Sequence, residues 1–586
     1  MNNNFEKMQR ERIGMFVHYG IYSTLGGEYN GEVIDGFAEW IMRAAKIPIA
    51  EYEKIAKDGF CPAPDFAINL VLSAKKAGAK YIVLTSKHHD GFCLFKSEAD
   101  SYNSYSLLKR DLCRELADAC RSEGIGLGFY YSHTLDWHEK NAAGNSALCY
   151  PDIKKFNRNF WDYPDDNIDF EEYFRRKCLP QVRELLTNYG ELECIWFDFP
   201  HDITLEQTVE LRELVKSLQP NCLINSRIGF GQCDYYSLGD NCLPTTPAVL
   251  PTECLITLNE TWGYKASDLN YKTPEAVIGT LCRALSTDST LLVNVGPMAD
   301  GSLTEQTLEL LSELGKWTTR NEAAIYGGVK AAPFKSVFPW GFVTVKENSM
   351  FIYQREKKET VKISGIGTRP VLVLLLGDDK PIEFSYSNNT LTLKAESSDY
   401  TCPVYRIDFR EPPLISTELE IDSTRSSLPV VYASLASRTS PEDTRDILKE
   451  LNVEDRNFGK CGISVTRIDS LQNWSSSDEF IVWDVNFLEP GIYSAELVCV
   501  EPAFETRCVR ADVDEDYYLT VGNTQNKISS EIKSSYNLSK SGSANLRYLK
   551  DAGEFNISDS GPYRVTLSKA LDTLGVGVIE LRFIKK

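Results

Sequence analysis

The feature that most constrains this 586-residue chain is a series of seven short, uninterrupted apolar runs within its first 328 residues. They are 14–20 (GMFVHYG), 80–90 (KYIVLTSKHHD), 125–132 (IGLGFYYS), 193–199 (ECIWFDF), 222–228 (CLINSRI), 253–258 (ECLITL) and 290–296 (TLLVNVG). None alternates apolar with polar residues, as a strand with one wet face would. Such runs suit parallel strands covered on both faces, and parallel strands need crossover connections, usually helices. The helices between them carry their own punctuation. Asp111 opens DLCRELADACRSEG, with Glu115 in its first turns and Gly124 as its stop; Thr273 caps another, with Pro274 at the first helical position and Glu275 after it. Seven strands alternating with helices predict an α/β fold, a (β/α)8-like barrel over 1–328 with one strand weak or irregular. A doubly wound sheet is the rival, but no glycine-rich phosphate turn follows the first strand.

After Tyr326-Gly327-Gly328 the texture changes. Residues 329–412 read as short strands separated by polar turns, the pattern of a small antiparallel β-sandwich. The polar stretch 413–429 reads as a linker, and 430–586 as a second sandwich-like module of unknown role. Within that module SPEDTRDILKELNVED predicts a helix capped by Ser440, with Glu442 and Asp443 in its first turn. Trp474, Trp483 and Tyr432 are read as core residues, with sugar-stacking platforms as the alternative.

Lys and Arg number 63 against 83 Asp and Glu, a formal charge of −20, which repels phosphate backbones and anionic lipid surfaces. No run of about 18 apolar residues exists to cross a membrane. The opening MNNNFEKMQRERIGMF has no apolar signal core, and the 16 cysteines include no Cys-x-x-Cys pair and several that sit inside apolar runs. Both features are expected of a cytoplasmic protein with buried free thiols.

In a barrel of this kind, chemistry belongs at the C-terminal ends of the strands. Those ends here are Val17-His18-Tyr19-Gly20, Lys87-His88-His89-Asp90-Gly91, Tyr130-Tyr131-Ser132 with Asp136-Trp137 beyond, Trp196-Phe197-Asp198, and Asn225-Ser226-Arg227. A single strand-end histidine is as readily a hydrogen-bonded core residue, and a single Asp a turn cap. Five strands converging with imidazoles, rings, a carboxylate and an arginine suit a small polyhydroxylated ligand better. A metal on His18, His88 and His89 is the competing reading; it lacks the spaced carboxylate and His pattern of hydrolytic metal sites, so no metal is expected.

These segments resemble glycoside hydrolase family 29, the α-L-fucosidases. The likeness runs in order through IGMFVHYGIYS (13–23), AEW (38–40), YIVLTSKHHDGFCLF (81–95), LGFYYSHTLDW (127–137), LLTNYGELECIWFD (185–198), LINSRIG (223–229), NETWGY (259–264), LLVNVGPMADGSL (291–303) and AIYGG (324–328). The resemblance implies a barrel followed by a β-sandwich, and a retaining exo-α-L-fucosidase acting by double displacement on fucosylated oligosaccharides or glycoconjugates. It implies no cofactor; with the acidic charge, neither nucleic acid nor membrane is expected as a partner. It implies Asp198 as nucleophile and sugar contacts from His18, Glu39, Trp40, His88, His89, Tyr131, Trp196, Arg227 and Trp262, with Tyr131 preferred over Tyr130. Glu253 matches the acid/base position, with Asp240 and Glu260 as alternatives, and its carboxylate is expected about 5–5.5 Å from that of Asp198. The strand reading puts Glu253 at the start of a strand, the end opposite the chemistry, unless 250–262 is a loop. Tyr19 and Phe199 depart from the family pattern; Phe199 bears on the pocket rim and the aglycone. A non-catalytic glycan-binding protein and a glycosidase for another L-sugar such as L-galactose are the alternative readings.

Overall fold

The computed structural model describes residues 3–142, 158–164, 167–200, 203–244, 246–247, 251–395, 400–442, 444–447, 471, 474, 476–500, 516–537, 546–571 and 577–586. The barrel strands are β1 (Ile13–Val17), β2 (Tyr81–Lys87), β3 (Gly126–Ser132), β4 (Cys194–Asp198), β5 (Leu223–Ile224), β6 (Tyr236–Ser237), β7 (Thr252–Thr257) and β8 (Thr290–Val295). They form one parallel sheet in the order β5-β4-β3-β2-β1-β8-β7-β6. A parallel bridge between Asn225 and Tyr235 joins the two edges, so the sheet curls closed. The seven expected strands are all present, and the irregular eighth is the two-residue β6. The run 222–228 pairs as a strand only over Leu223–Ile224, because the Asn225 side chain takes over the ladder. Its Oδ1 accepts from the Phe197 N–H at 2.8 Å and its Nδ2 donates to the Phe197 carbonyl at 2.9 Å.

Alternation along the strands sorts side chains into two cores. Phe16, Tyr81, Val83, Tyr130, Cys194, Trp196, Leu223, Leu255, Trp262 and Leu292 point inward as one cluster, joined by Phe5 and Met8 of the N-terminal helix Asn3–Glu11. Their strand neighbours, such as Met15, Ile82, Phe129, Ile195, Ile256 and Val293, pack outward against the helices. Those helices begin and end as their sequences predict. In α1 (Leu112–Glu123) the Asp111 side chain accepts from Arg114 N–H and Gly124 closes the helix at φ 65°; Thr273 caps α2 (Pro274–Ser286) through Ala276 N–H.

Six- and three-stranded sheets follow between Lys330 and Asp408, then seven- and five-stranded sheets to the C-terminus. The stretch 413–429 is not a bare linker: Glu420–Ile421 pairs with Asn486–Phe487, and Ser427–Pro429 with Glu580–Arg582. Arg425 is buried between them, bonded to Glu420 and to Ser364 of the preceding sandwich. The helix expected from Ser440 is also corrected in part, since Arg445–Asp446 is a strand pairing with Ser434–Leu435; 443 and 448–455 lie outside the described residues. Pairing with the strand just before it, Ser434–Leu435, overrides a local capping pattern here. Trp474 and Trp483 are buried in the module's core, and Tyr432 packs against it. Among the described residues the cysteines are free thiols, most of them buried, and no helix is long and apolar enough to cross a membrane.

Candidate active site

The mouth is formed where the inward-facing residues of β1, β2, β3, β4 and β8 reach the C-terminal ends of their strands. His18 extends β1 by one residue, its N–H donating to the Val295 carbonyl at 3.0 Å. Its Nδ1 lies 2.6 Å from Asn294 Oδ1, while Asn294 Nδ2 donates to the Trp262 carbonyl at 2.8 Å. The amide is thereby oriented with its oxygen on the imidazole, so Nδ1 carries the proton and Nε2 is left for a ligand. Burial pushes the His18 imidazolium down to about 3, so the ring is neutral. His89 is set the same way: Nδ1 is 2.7 Å from Ser132 Oγ, which itself donates to the Leu135 carbonyl. His88 stacks on Tyr130 at 5.4 Å, and burial likewise holds it well below the ordinary imidazole range. Its Nδ1 is buried with no protein partner among the described residues, as is Arg227 Nε. Buried polar atoms are normally satisfied, so two such atoms at one mouth fit a ligand with several hydroxyls.

Asp198 ends β4 and turns into this mouth. Its Oδ2 accepts from the Tyr130 hydroxyl at 2.9 Å and lies 3.9 Å from His89 Nε2, while Oδ1 accepts from Arg227 Nη1 at 3.1 Å. The same guanidinium donates through Nη2 to Asp240 Oδ1 at 2.5 Å and lies 4.9 Å over the Trp196 ring. Burial opposes the charge on Arg227, but Asp240 and Asp198 together hold it above its ordinary value. Asp240 stands on the loop after β6 and is half-exposed, so two carboxylates at strand ends share one arginine. The next residue, Asn241, pins that loop: its Oδ1 accepts from Thr257 N–H at 2.9 Å and Oγ1 at 3.1 Å.

On the opposite wall, Glu39 ties the 38–40 turn to 261–263. Its Oε2 accepts from Gly263 N–H at 2.9 Å and Thr261 Oγ1 at 3.3 Å, and burial pushes its carboxyl up to about 7. Trp40 packs edge-on to His89 at 5.1 Å, and Trp262 packs beside His18 at 5.2 Å. Thus His18, Glu39, Trp40, His88, His89, Trp196, Arg227 and Trp262 gather about Asp198, as the sequence suggests.

Two expected residues are not brought there. Tyr131 faces the helix layer, its hydroxyl donating to Gln181 Oε1 at 2.8 Å, and Tyr130 is the tyrosine on Asp198. Two-residue alternation decides this, since Tyr130 is level with inward-facing Trp196. Glu253 is the second residue of β7, a strand and not a loop, and therefore lies toward the barrel floor. Its Oε1 accepts from the Tyr81 hydroxyl at 3.0 Å and its Oε2 from Trp196 Nε1 at 2.9 Å, and it is fully buried. Of the other two alternatives, Glu260 accepts from Asn270 Nδ2 at 2.6 Å on the exposed surface, while Asp240 is at the mouth.

Sequence reasoning missed the support beneath the His88–His89 turn. Lys87 and Lys177 are both fully buried, 3.0 and 2.9 Å from Asp136 Oδ2. Lys177 comes from a π-helical turn, Phe174–Cys178, and also reaches Asp100 and Glu139. Asp136 packs so closely on Gly91 that a Cβ there would meet Oδ1 at 2.1 Å. Burial works against ionised Asp136, yet the two lysines hold it below the usual carboxylate range. The available signal was Lys87, a charge closing an apolar strand.

A family model described as Alpha-L-fucosidase matches residues 2–323. Human plasma alpha-L-fucosidase is 28% identical over 346 residues, covering 54% of this chain and 68% of that protein. An alpha-L-fucosidase from Lactobacillus casei, solved with its α-L-fucose product, is 38% identical at a TM-score of 0.52, over 55% of this chain and 100% of that one. The fold of an alpha-L-fucosidase from Vibrio sp. strain EJY3 matches at a TM-score of 0.79 with 24% identity, over 100% of this chain and 98% of that one. The family match spans more than half of the chain and takes in nearly all of the barrel that carries this mouth, so the chain belongs to the alpha-L-fucosidase family of glycoside hydrolases.

Proposed function

We propose that this chain removes terminal α-L-fucose from oligosaccharides or glycoconjugates with retention, using Asp198 as nucleophile and Asp240 as acid/base. One observation carries the assignment: Arg227 holds both carboxylates at the mouth, one on each terminal nitrogen. Sharing one guanidinium keeps the pair close, which fits the short carboxyl spacing of retaining glycosidases (about 5–5.5 Å) better than the wide inverting one (about 6.5–9.5 Å). In the first step an Asp198 oxygen attacks the anomeric carbon while protonated Asp240 gives its proton to the departing glycosidic oxygen. In the second, Asp240 takes a proton from water as the water displaces Asp198, which restores both groups. Half-exposure suits Asp240, since it must meet the leaving group and then water.

The neutral imidazoles of His18 and His88, the His89 ring and the Glu39 carboxyl offer partners for the sugar's hydroxyls, and Trp40 and Trp262 offer apolar faces. Fucose as the bound sugar is supported by the Lactobacillus casei relative's complex with α-L-fucose. The free, mostly buried thiols suit a reducing compartment such as the cytoplasm.

Azide rescue separates the two carboxylates. With an aryl α-L-fucoside, Asp198→Gly should be inactive until azide is added and should then yield the inverted β-fucosyl azide. Asp240→Gly should form the covalent intermediate and yield the retained α-fucosyl azide. Wild-type turnover of an oligosaccharide by Asp240→Gly, or α-azide formed by Glu253→Gln, would reject the acid/base assignment.

A further inference from the structure

We infer that Phe199 is the platform against which the ring of the leaving aglycone packs, making it a specificity-determining residue for the hydrolysis; this rests on Asp198 being the nucleophile. Phe199 follows Asp198 directly and sits at φ 58°, a left-handed conformation disfavoured for any bulky side chain. The turn has a directional consequence. Phe197 faces outward, its ring edge-on to His133, and Asp198 faces the mouth, so regular alternation would send residue 199 outward again. The positive φ instead brings the ring back over the pocket. It lies edge-on to His89 at 4.9 Å and tilted against Trp40 at 5.5 Å, and its carbonyl accepts from the Thr134 hydroxyl.

Glycine would make this turn without strain, and a purely structural filler would not need to sit beside the nucleophile. A ring held in a disfavoured conformation next to reacting groups is the kind of outlier from which function is inferred. Position then selects the role. Phe199 stands one residue past the end of β4 and is partly exposed, whereas His18, His88 and Trp262 are buried deeper. In a pocket that takes a terminal sugar, the leaving group points to solvent, so the ring flanks the aglycone and not the fucose. Its flat apolar face suits an aryl ring or the apolar face of a pyranose.

The test compares two leaving groups in one active site. 4-Nitrophenyl α-L-fucoside carries a ring to pack, and α-L-fucosyl fluoride carries a single atom. Phe199→Gly removes the ring and relaxes the turn, Phe199→Ala removes the ring and keeps the turn, and Phe199→Tyr keeps both. The ratio of kcat/KM for the aryl fucoside to that for the fluoride should fall about five- to tenfold in the Gly and Ala variants, mainly through KM. Phe199→Tyr should restore the wild-type ratio, and Phe199→Gly should melt no lower than wild type. A ratio unchanged within about twofold in both ring-less variants would overturn the proposal, whatever the absolute rates. Wild-type protein inert toward both fucosides would reject the parent reading itself, and this one with it.

Discussion

Glu253 and Asp198 are carboxyl groups that both point into the barrel, from opposite ends of their strands. At the floor Glu253 is fully buried and meets two neutral donors, Tyr81 and Trp196, and burial pushes it up to about 7. At the mouth Asp198 meets the Arg227 guanidinium and the Tyr130 hydroxyl, with Asp240 on the same arginine. Trp196 is the partition. Its Nε1 donates down to Glu253, while its ring lies under Arg227 and stacks on Tyr130 at 5.7 Å. The difference teaches that a carboxyl poised near neutrality is not thereby an acid/base. Glu253 has a suitable pKa, but both its oxygens are held by side chains that fill the barrel interior. Asp240 has the position, and geometry comes before pKa in assigning a proton-transfer role.

The strongest way to break that comparison is at the arginine. Arg227→Met leaves two carboxylates close together with no cation, and kcat/KM on an aryl fucoside should fall about 10²–10³-fold. Arg227→Lys should recover only part of this, because an ammonium cannot fork to both acids. Activity of either variant close to wild type would mean that the shared guanidinium does not organise the mouth. Tyr130→Phe removes one hydrogen bond to Asp198 and should cost about tenfold in kcat/KM with little change in melting temperature.

The floor should respond in stability instead. In Glu253→Gln the amide oxygen can keep Trp196 Nε1, but the amide nitrogen then faces Tyr81, whose hydroxyl must turn from donor to acceptor, which costs about 1 kcal/mol, while kcat/KM of the folded protein stays within about fivefold. Its pH dependence has a definite sign. The folded pKa of about 7 lies above the reference value of 4.5, so the native state holds this proton more tightly. The contribution of the neutral acid is complete below about pH 4.5 and is lost as pH rises toward about 7. The melting temperature of wild type minus that of Glu253→Gln should therefore fall across that window and level off above it. Glu39 and Asp90, also raised to about 7 by burial, titrate in both proteins and cancel in the difference. A difference that rises with pH would show that Glu253 is held ionised, contrary to its setting at the floor.

How far the sequence reached follows from which signals are local. Strands buried on both faces announce themselves as apolar runs, so seven of eight were legible; β6 has two residues, too few for any periodicity. The ladder at β5 is continued by the Asn225 side chain, which no strand pattern encodes. At the mouth, motif resemblance placed the histidines, Trp196, Arg227 and Asp198 because each sits at a fixed strand end. It gave Glu253 the acid/base position, and a motif match says nothing about which end of β7 a residue occupies. The Lys87–Asp136–Lys177 cluster joins three distant segments and depends on a π-helical turn, so only the fold reveals it.

Tyr131 tests the finest form of the comparison, two adjacent residues on opposite faces of one strand. Its hydroxyl serves Gln181 in the helix layer, and its ring lies 4.6 Å from Lys87 Nζ. Tyr131→Phe removes the first contact and keeps the second, so the expected cost is about 1 kcal/mol of stability and no change in kcat/KM. Thermal melts set beside initial rates for Tyr130→Phe and Tyr131→Phe should give a crossed pattern, activity lost in one and stability in the other. A tenfold loss of turnover in Tyr131→Phe at an unchanged melting temperature would place its hydroxyl on the sugar side of β3. The alternation that puts Tyr130 on Asp198 would then fail at the strand end where the chemistry depends on it.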